Sequence, residues 1–118
     1  MPTEQHQEKQ YSLPPGTVFD AALKAVEKLS GKVVTSSPEQ RKVEAKMPKV
    51  VLGKTLGERT YFSCEVRAQG EGSLVVVDAY PLDALERKLL FGARKGVTQT
   101  VVTWFTAHLE NILGLPAQ

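Results

Sequence analysis

The chain of 118 residues, 42% of them hydrophobic, has the size of one domain and enough apolar side chain to bury a core without disulfides or a metal. Its 15 basic and 13 acidic residues leave a formal charge of +2, which excludes the strongly basic field of most nucleic-acid binders. A single cysteine, Cys64, excludes an intrachain disulfide, and no apolar run is long enough to cross a bilayer as a helix.

In chain order, residues 1–9 are polar and lack the apolar core of a signal peptide, so a disordered leader and a cytoplasmic protein are expected. The envelope is the alternative compartment, should a signal or lipid anchor precede the chain. Tyr11 and Leu13 predict a short edge strand that Pro14, Pro15 and Gly16 break. Thr17 with Asp20 has the form of an N-cap and capping-box partner. The helix that follows would bury Val18, Phe19, Ala22, Leu23, Val26 and Leu29 and expose Asp20, Lys24, Glu27 and Lys28. Ser30 and Gly31 stop it.

Val33, Val34 and Thr35 favour an extended segment, and residues 36–39 read as a turn. Val43, Ala45 and Met47 then alternate with Lys42, Glu44 and Lys46, the pattern of a half-buried strand, and Pro48 marks its end. Val50, Val51 and Leu52 extend the sheet, and residues 53–57 form a loop. Thr60, Phe62, Cys64, Val66 and Ala68 share one phase of the next strand. After the turn at Gly70, Glu71 and Gly72, the three valines from Val75 to Val77 predict a central strand buried on both sides, ended by Pro81. Residues 83–91 fit either a short helix or an elongated loop leading to the last element, with the helix slightly favoured. From Val97 the stripe Val97, Val101, Trp104, Phe105, His108, Leu109 and Ile112 predicts the main helix, closed by Gly114 and Pro116. The expected domain covers residues 10–115, with 116–118 as a tail.

Catalytic and metal chemistry find little footing. The nitrogen and sulfur donors are His6, His108 and Cys64, with no metal-ligand spacing among them, so no metal and no cofactor is expected. Cys64 shares the phase of Phe62 and Val66, which predicts a buried, unreactive thiol. His108 lies beside an apolar stripe, where a structural histidine is the commoner case. Asp78 shares the phase of Leu74, Val76 and Tyr80 and needs a partner if that face is the core. Gly53-Lys54-Thr55 lacks the earlier glycine and following helix of a phosphate-binding loop and reads as a hairpin loop.

One segment departs from the neutral average. Arg87, Lys88, Arg94 and Lys95 interleave with Leu85, Leu89, Leu90 and Phe91, with no acid after Glu86. Arg87, Lys88, Leu90, Phe91, Arg94 and Lys95 are therefore the candidate interaction surface, for a protein partner or an anionic membrane. The alternative is a structural rim around buried leucines.

The order of short strand, helix, antiparallel strands and long terminal helix predicts an α+β domain: a sheet of four to five strands packed against both helices. The opening segment from Tyr11 to Leu23, the strands around Lys42-Val43-Glu44-Ala45-Lys46 and Tyr61-Phe62-Ser63-Cys64-Glu65-Val66, and the Trp104-Phe105 helix together resemble the helix-grip type. Small bacterial domains of unknown function and the domains of the BamC lipoprotein are similar at this level. The resemblance implies a sheet curved around the last helix and carries no functional motif. Two functions compete: a non-enzymatic protein-interaction or assembly module, including self-association, and a carrier of an apolar small molecule held between sheet and helix by Phe62, Val76, Trp104 and Phe105. A filled interface favours the first, an open apolar pocket the second. Nucleic acid is not an expected partner.

Overall fold

A computed structural model describes residues 4–48, 50–51, 54–55, 59–82 and 97–115. Strand β1 (Gln5–Tyr11) leads into helix α1 (Pro15–Lys28), followed by β2 (Lys32–Ser37), β3 (Lys42–Met47), β4 (Val50–Val51), β5 (Lys54–Thr55), β6 (Arg59–Gln69), β7 (Gly72–Leu82) and helix α2 (Val97–Ile112). Five strands form one antiparallel sheet in the order β1-β7-β6-β3-β2, and β4 and β5 pair separately. This is the expected α+β architecture. The short β4–β5 pair places Lys54 and Thr55 in a strand, where the sequence predicted only loop.

Period-two patterning decides which face of the sheet meets the helices. Val43, Ala45 and Met47 lie opposite Cys64, Phe62 and Thr60, and Phe62, Cys64 and Val66 lie opposite Ala79, Val77 and Val75. All of these are buried. Val18, Phe19, Ala21, Ala22, Ala25 and Val26 of α1, with Leu29 just beyond it, close over this face beside Val101, Val102, Phe105 and Leu109 of α2. Ala21, Ala22 and Ala25 are among the buried residues of α1, and Leu23 is only partly buried. Burial of this apolar surface is the main term holding the fold.

Several expectations need correction. The polar segment expected as leader contains β1, whose residues from Gln5 pair with β7 through main-chain hydrogen bonds that need no apolar side chains. Helix α1 begins at Pro15 with Pro14 as N-cap and no side-chain cap, because Pro15 already has the φ of a first helical residue. Thr17 lies inside the helix. Pro81 does not end β7: it pairs opposite Thr60, beyond the last β1 partner at Ala79, where a missing N–H breaks no bond to β1. Strand β2 also runs on to Ser37, so the turn falls over residues 38–41, with Arg41 at φ 51°.

Two glycines are held by close approach. A Cβ on Gly31 would meet Met47 Sδ at 2.8 Å, and one on Gly72 would meet the Tyr11 carbonyl oxygen at 2.3 Å. The left-handed residue after α1 is Ser30, at φ 60°.

Candidate functional site

The space between sheet and helices is the first place to seek a binding site, and among the described residues side chains occupy it. Phe62 on β6 and Phe105 on α2 meet with ring centroids 4.5 Å apart and planes inclined at 52°, both fully buried. Leu29, Met47, Leu109 and four valines of the sheet surround them with no appreciable exposure. Cys64 lies in this layer, and burial pushes its thiol up to about 12, so at neutral pH it is protonated and shielded. A polar atom interrupts the apolar lining: the buried Thr60 Oγ1 has no hydrogen-bond partner among the described residues.

Of the four residues expected to line an apolar pocket or to form the core, the structure brings Phe62 and Phe105 together in the core. Trp104 is partly buried and packs against the core from its margin. Val76 is a correction. It pairs with Glu8 on one side and Glu65 on the other, so it points to the outer face of the sheet, away from Phe62. Three consecutive buried valines conceal this, because Val75 and Val77 hold the inner phase. Arg87, Lys88, Leu90, Phe91, Arg94 and Lys95, with the helix expected over 83–91, lie outside the described residues.

A polar seam joins β1 to α2. Gln7 Nε2 donates to Thr106 Oγ1 at 2.9 Å, while Lys9 Nζ and Tyr11 Oη both donate to Glu110 Oε2 at 2.8 Å. Lys9 foremost, then Tyr11, holds the Glu110 carboxyl below its usual range against an opposing effect of burial. Burial, reinforced by Glu110, pushes the Tyr11 hydroxyl far up. Sequence reasoning had no signal for this seam, since its partners are about a hundred positions apart.

The outer face carries its own polar contacts. Asp78 sits on this wet face, and its partner is His6, whose Nδ1 lies 2.6 Å from Asp78 Oδ1 while Nε2 lies 2.8 Å from Glu8 Oε2. Hydrogen bonds to Glu8 and then Asp78 raise the His6 pKa. Tyr61 stacks on Tyr80 with centroids 4.6 Å apart and donates to Glu44, and burial followed by that bond pushes its hydroxyl up. These groups cap one another. Each nitrogen of His6 faces a carboxylate, an arrangement suited to orienting a strand rather than to holding a metal, and the described residues contain no group of three metal-ligating side chains.

At the far edge of the sheet, β2 pairs only with β3 among the described residues, and its Val33 and Val34 are 44% and 53% exposed. The register shifts between Val33 and Thr35, leaving Val34 as the extra residue of a bulge. Two hollows lined by described residues lie elsewhere: a polar one of about 720 Å³ at the β6–β7 turn beside Tyr11 and Ser12, and one of about 450 Å³ between α1 and Ile112. No helix among the described residues is long and apolar enough to cross a membrane.

No family model matches the chain, and no curated protein matches it in sequence. Solved structures do match in fold. Ara h 8.0201 aligns with a TM-score of 0.65 at 13% identity, covering 94% of this chain and 97% of its own. CalU16 from Micromonospora echinospora aligns at 0.60 and 14% identity over 97% of this chain and 76% of its own. TTHA0849 from Thermus thermophilus aligns at 0.52 and 18% identity over 94% of this chain and 97% of its own. None of the three is a BamC domain, so that finer resemblance gains no support from them. What this chain shares with them is the fold, the helix-grip (Bet v1-like) arrangement of a five-stranded antiparallel sheet and two helices.

Proposed function

We propose that this domain is a non-enzymatic protein-interaction module that binds through its periphery. The observation that carries the reading is the packing of the described part of the interface: among the described residues, Phe62, Phe105, Val101 and Leu109 occupy the space where a carrier of this architecture would hold its cargo. The exposed β2 edge remains as contact surface. The basic and apolar segment from Arg87 to Lys95 belongs to the same proposal, with a protein or an anionic membrane as its counterpart.

A specific observation favours a second reading, a carrier of an apolar molecule with one polar group. Thr60 Oγ1 is buried without a partner among the described residues, and a buried hydroxyl left unpaired is the atom to which such a group would bond. One titration separates the two readings. An anilinonaphthalene sulfonate dye and a medium-chain fatty acid are added to the purified protein while emission of Trp104, the only tryptophan, is followed. The interaction module gives no saturable change. A carrier gives a saturable one, weakened by Thr60→Val. On the positive side, a photo-crosslinker placed at position 34 captures a defined partner in the cell of origin, whereas one at position 20 on the exposed face of α1 does not.

A further inference from the structure

We propose that the β2 edge accepts an extended, acidic segment of a partner protein as a sixth strand. The inference rests on the interaction reading and names its partner. An unpaired edge presents a row of backbone donors and acceptors, and proteins usually blunt such an edge with charge, proline or cover. Strand β2, Lys32–Ser37, has no proline and no acid, and its only charge stands at its first residue. The bulge at Val34 strengthens the local twist, yet the side chain there is an exposed valine rather than a guarding charge. Both features suit a flexible peptide that follows the twist while covering Val33 and Val34.

Charge selects the occupant. Lys32 lies directly opposite Lys46, and Lys42 lies opposite Ser37, so cations stand at both ends of the β2–β3 ladder. Neither Lys32 nor Lys42 has an ion-pair partner among the described residues. Of the acids beside them, Glu44 accepts the Tyr61 hydroxyl and Glu65, directly opposite Lys42 on β6, is engaged by Arg67. Carboxylates at alternate positions of an added strand would stand beside Lys32 and, one strand further in, face the long Lys42 side chain across Ser37 on the outer face. A second copy fits worse: antiparallel pairing of two β2 strands brings Lys32 of one copy towards Lys42 of the other at each end. The opposite edge, β1, has its charges engaged within the molecule, His6 by Glu8 and Asp78 and Lys9 by Glu110.

The probe is a capped peptide Glu-Val-Glu-Val-Asp-Val, with two controls: the same peptide N-methylated at alternate amides, and one with lysine in place of each acid. Added to the full chain, the acidic peptide binds saturably, slows amide exchange over Val33–Ser37 and loses affinity as salt rises. The double variant Lys32→Glu, Lys42→Glu keeps the circular dichroism of the parent and binds about tenfold more weakly or worse. Methylation abolishes binding. Equal binding of the methylated or the lysine peptide overturns the proposal, as does exchange protection confined to β1. Concentration-dependent dimers protected at β2 overturn it in favour of a second copy. Saturable dye or fatty-acid uptake would defeat the interaction reading itself, whereas a silent peptide together with a silent dye removes only this edge.

Discussion

The Tyr11 hydroxyl donates to the Glu110 carboxylate at 2.8 Å, fastening the last residue of β1 to the last turn of α2. Lys9 reaches the same carboxylate oxygen, so one side chain of the terminal helix gathers two contacts from one edge strand. The contact lies where sheet and helix would have to part if the interface were ever to open. Folding lowers the Glu110 pKa from its ordinary 4.5, through Lys9 first and Tyr11 after it. Its stabilising contribution is therefore fully present above the unfolded value and is lost as pH falls through the lower, folded one.

Tyr11→Phe is expected to lower stability by about 1.5 to 3 kcal/mol at neutral pH, the range for a bond to a charged acceptor. Glu110→Gln should lower it too and remove part of the acid-induced loss below about pH 4.5, because the variant has no carboxylate to protonate. Denaturant titrations of the parent and both variants at neutral and acid pH measure this. Identical acid sensitivity in Glu110→Gln would show that the linkage lies elsewhere.

Phe62 and Phe105 bring the two layers of the fold together, and both have no exposure. Either one changed to alanine should lose about 3 to 5 kcal/mol. A double-mutant cycle should give a coupling of about 0.5 to 1.5 kcal/mol beyond area burial. Trp104→Ala should lose less than Phe105→Ala, since Trp104 is only partly buried. The reverse order in thermal denaturation would mean that the core is centred on the other side of the helix.

Wherever one side of an element is apolar, the sequence made it legible. The helical stripe from Val97 to Ile112 coincides with α2, and the alternation of Val43, Ala45 and Met47 coincides with β3. Of strand β1 the sequence marked only Tyr11 as part of an edge strand; the rest escaped because its inner residues Gln7 and Lys9 face polar partners on α2, so its two faces look equally wet. Val76 misled for the opposite reason: on the central strand β7 both phases are apolar, and period alone cannot orient them. The contacts that distinguish the surface, His6 with Asp78 and Lys9 with Glu110, join positions 72 and 101 residues apart. Only the tertiary fold brings such pairs together. The cations of the candidate edge were visible as residues, but not as neighbours on one exposed ladder.

Cys64 supplies a direct reading of core opening. Its sulfur is fully buried and its thiol is pushed up to about 12, so access and ionisation both oppose reaction. A thiol reagent should label the native protein far more slowly than the unfolded chain, at a rate that rises with denaturant as the domain opens. Labelling as fast as in the unfolded chain would expose the thiol and return it to consideration as a nucleophile.

His6 gives a pH response of the opposite sign. Hydrogen bonds to Glu8 and Asp78 raise its pKa above the ordinary 6.5, so the charged form is favoured when β1 is docked beside β7. Its contribution is fully present below the unfolded value and disappears as pH rises through the higher, folded value. Since His6 and its partners are exposed, solvent screens the pairs, and the effect belongs to the pairing of one strand rather than to the whole fold. Nuclear magnetic resonance titration should place the His6 midpoint above 6.5, with Glu8→Gln and Asp78→Asn each moving it back down. Amide exchange in β1, corrected for its intrinsic pH dependence, should quicken through the same interval in the parent and not in His6→Gln. A midpoint at or below 6.5 would show that the two carboxylates do not hold the ring in solution.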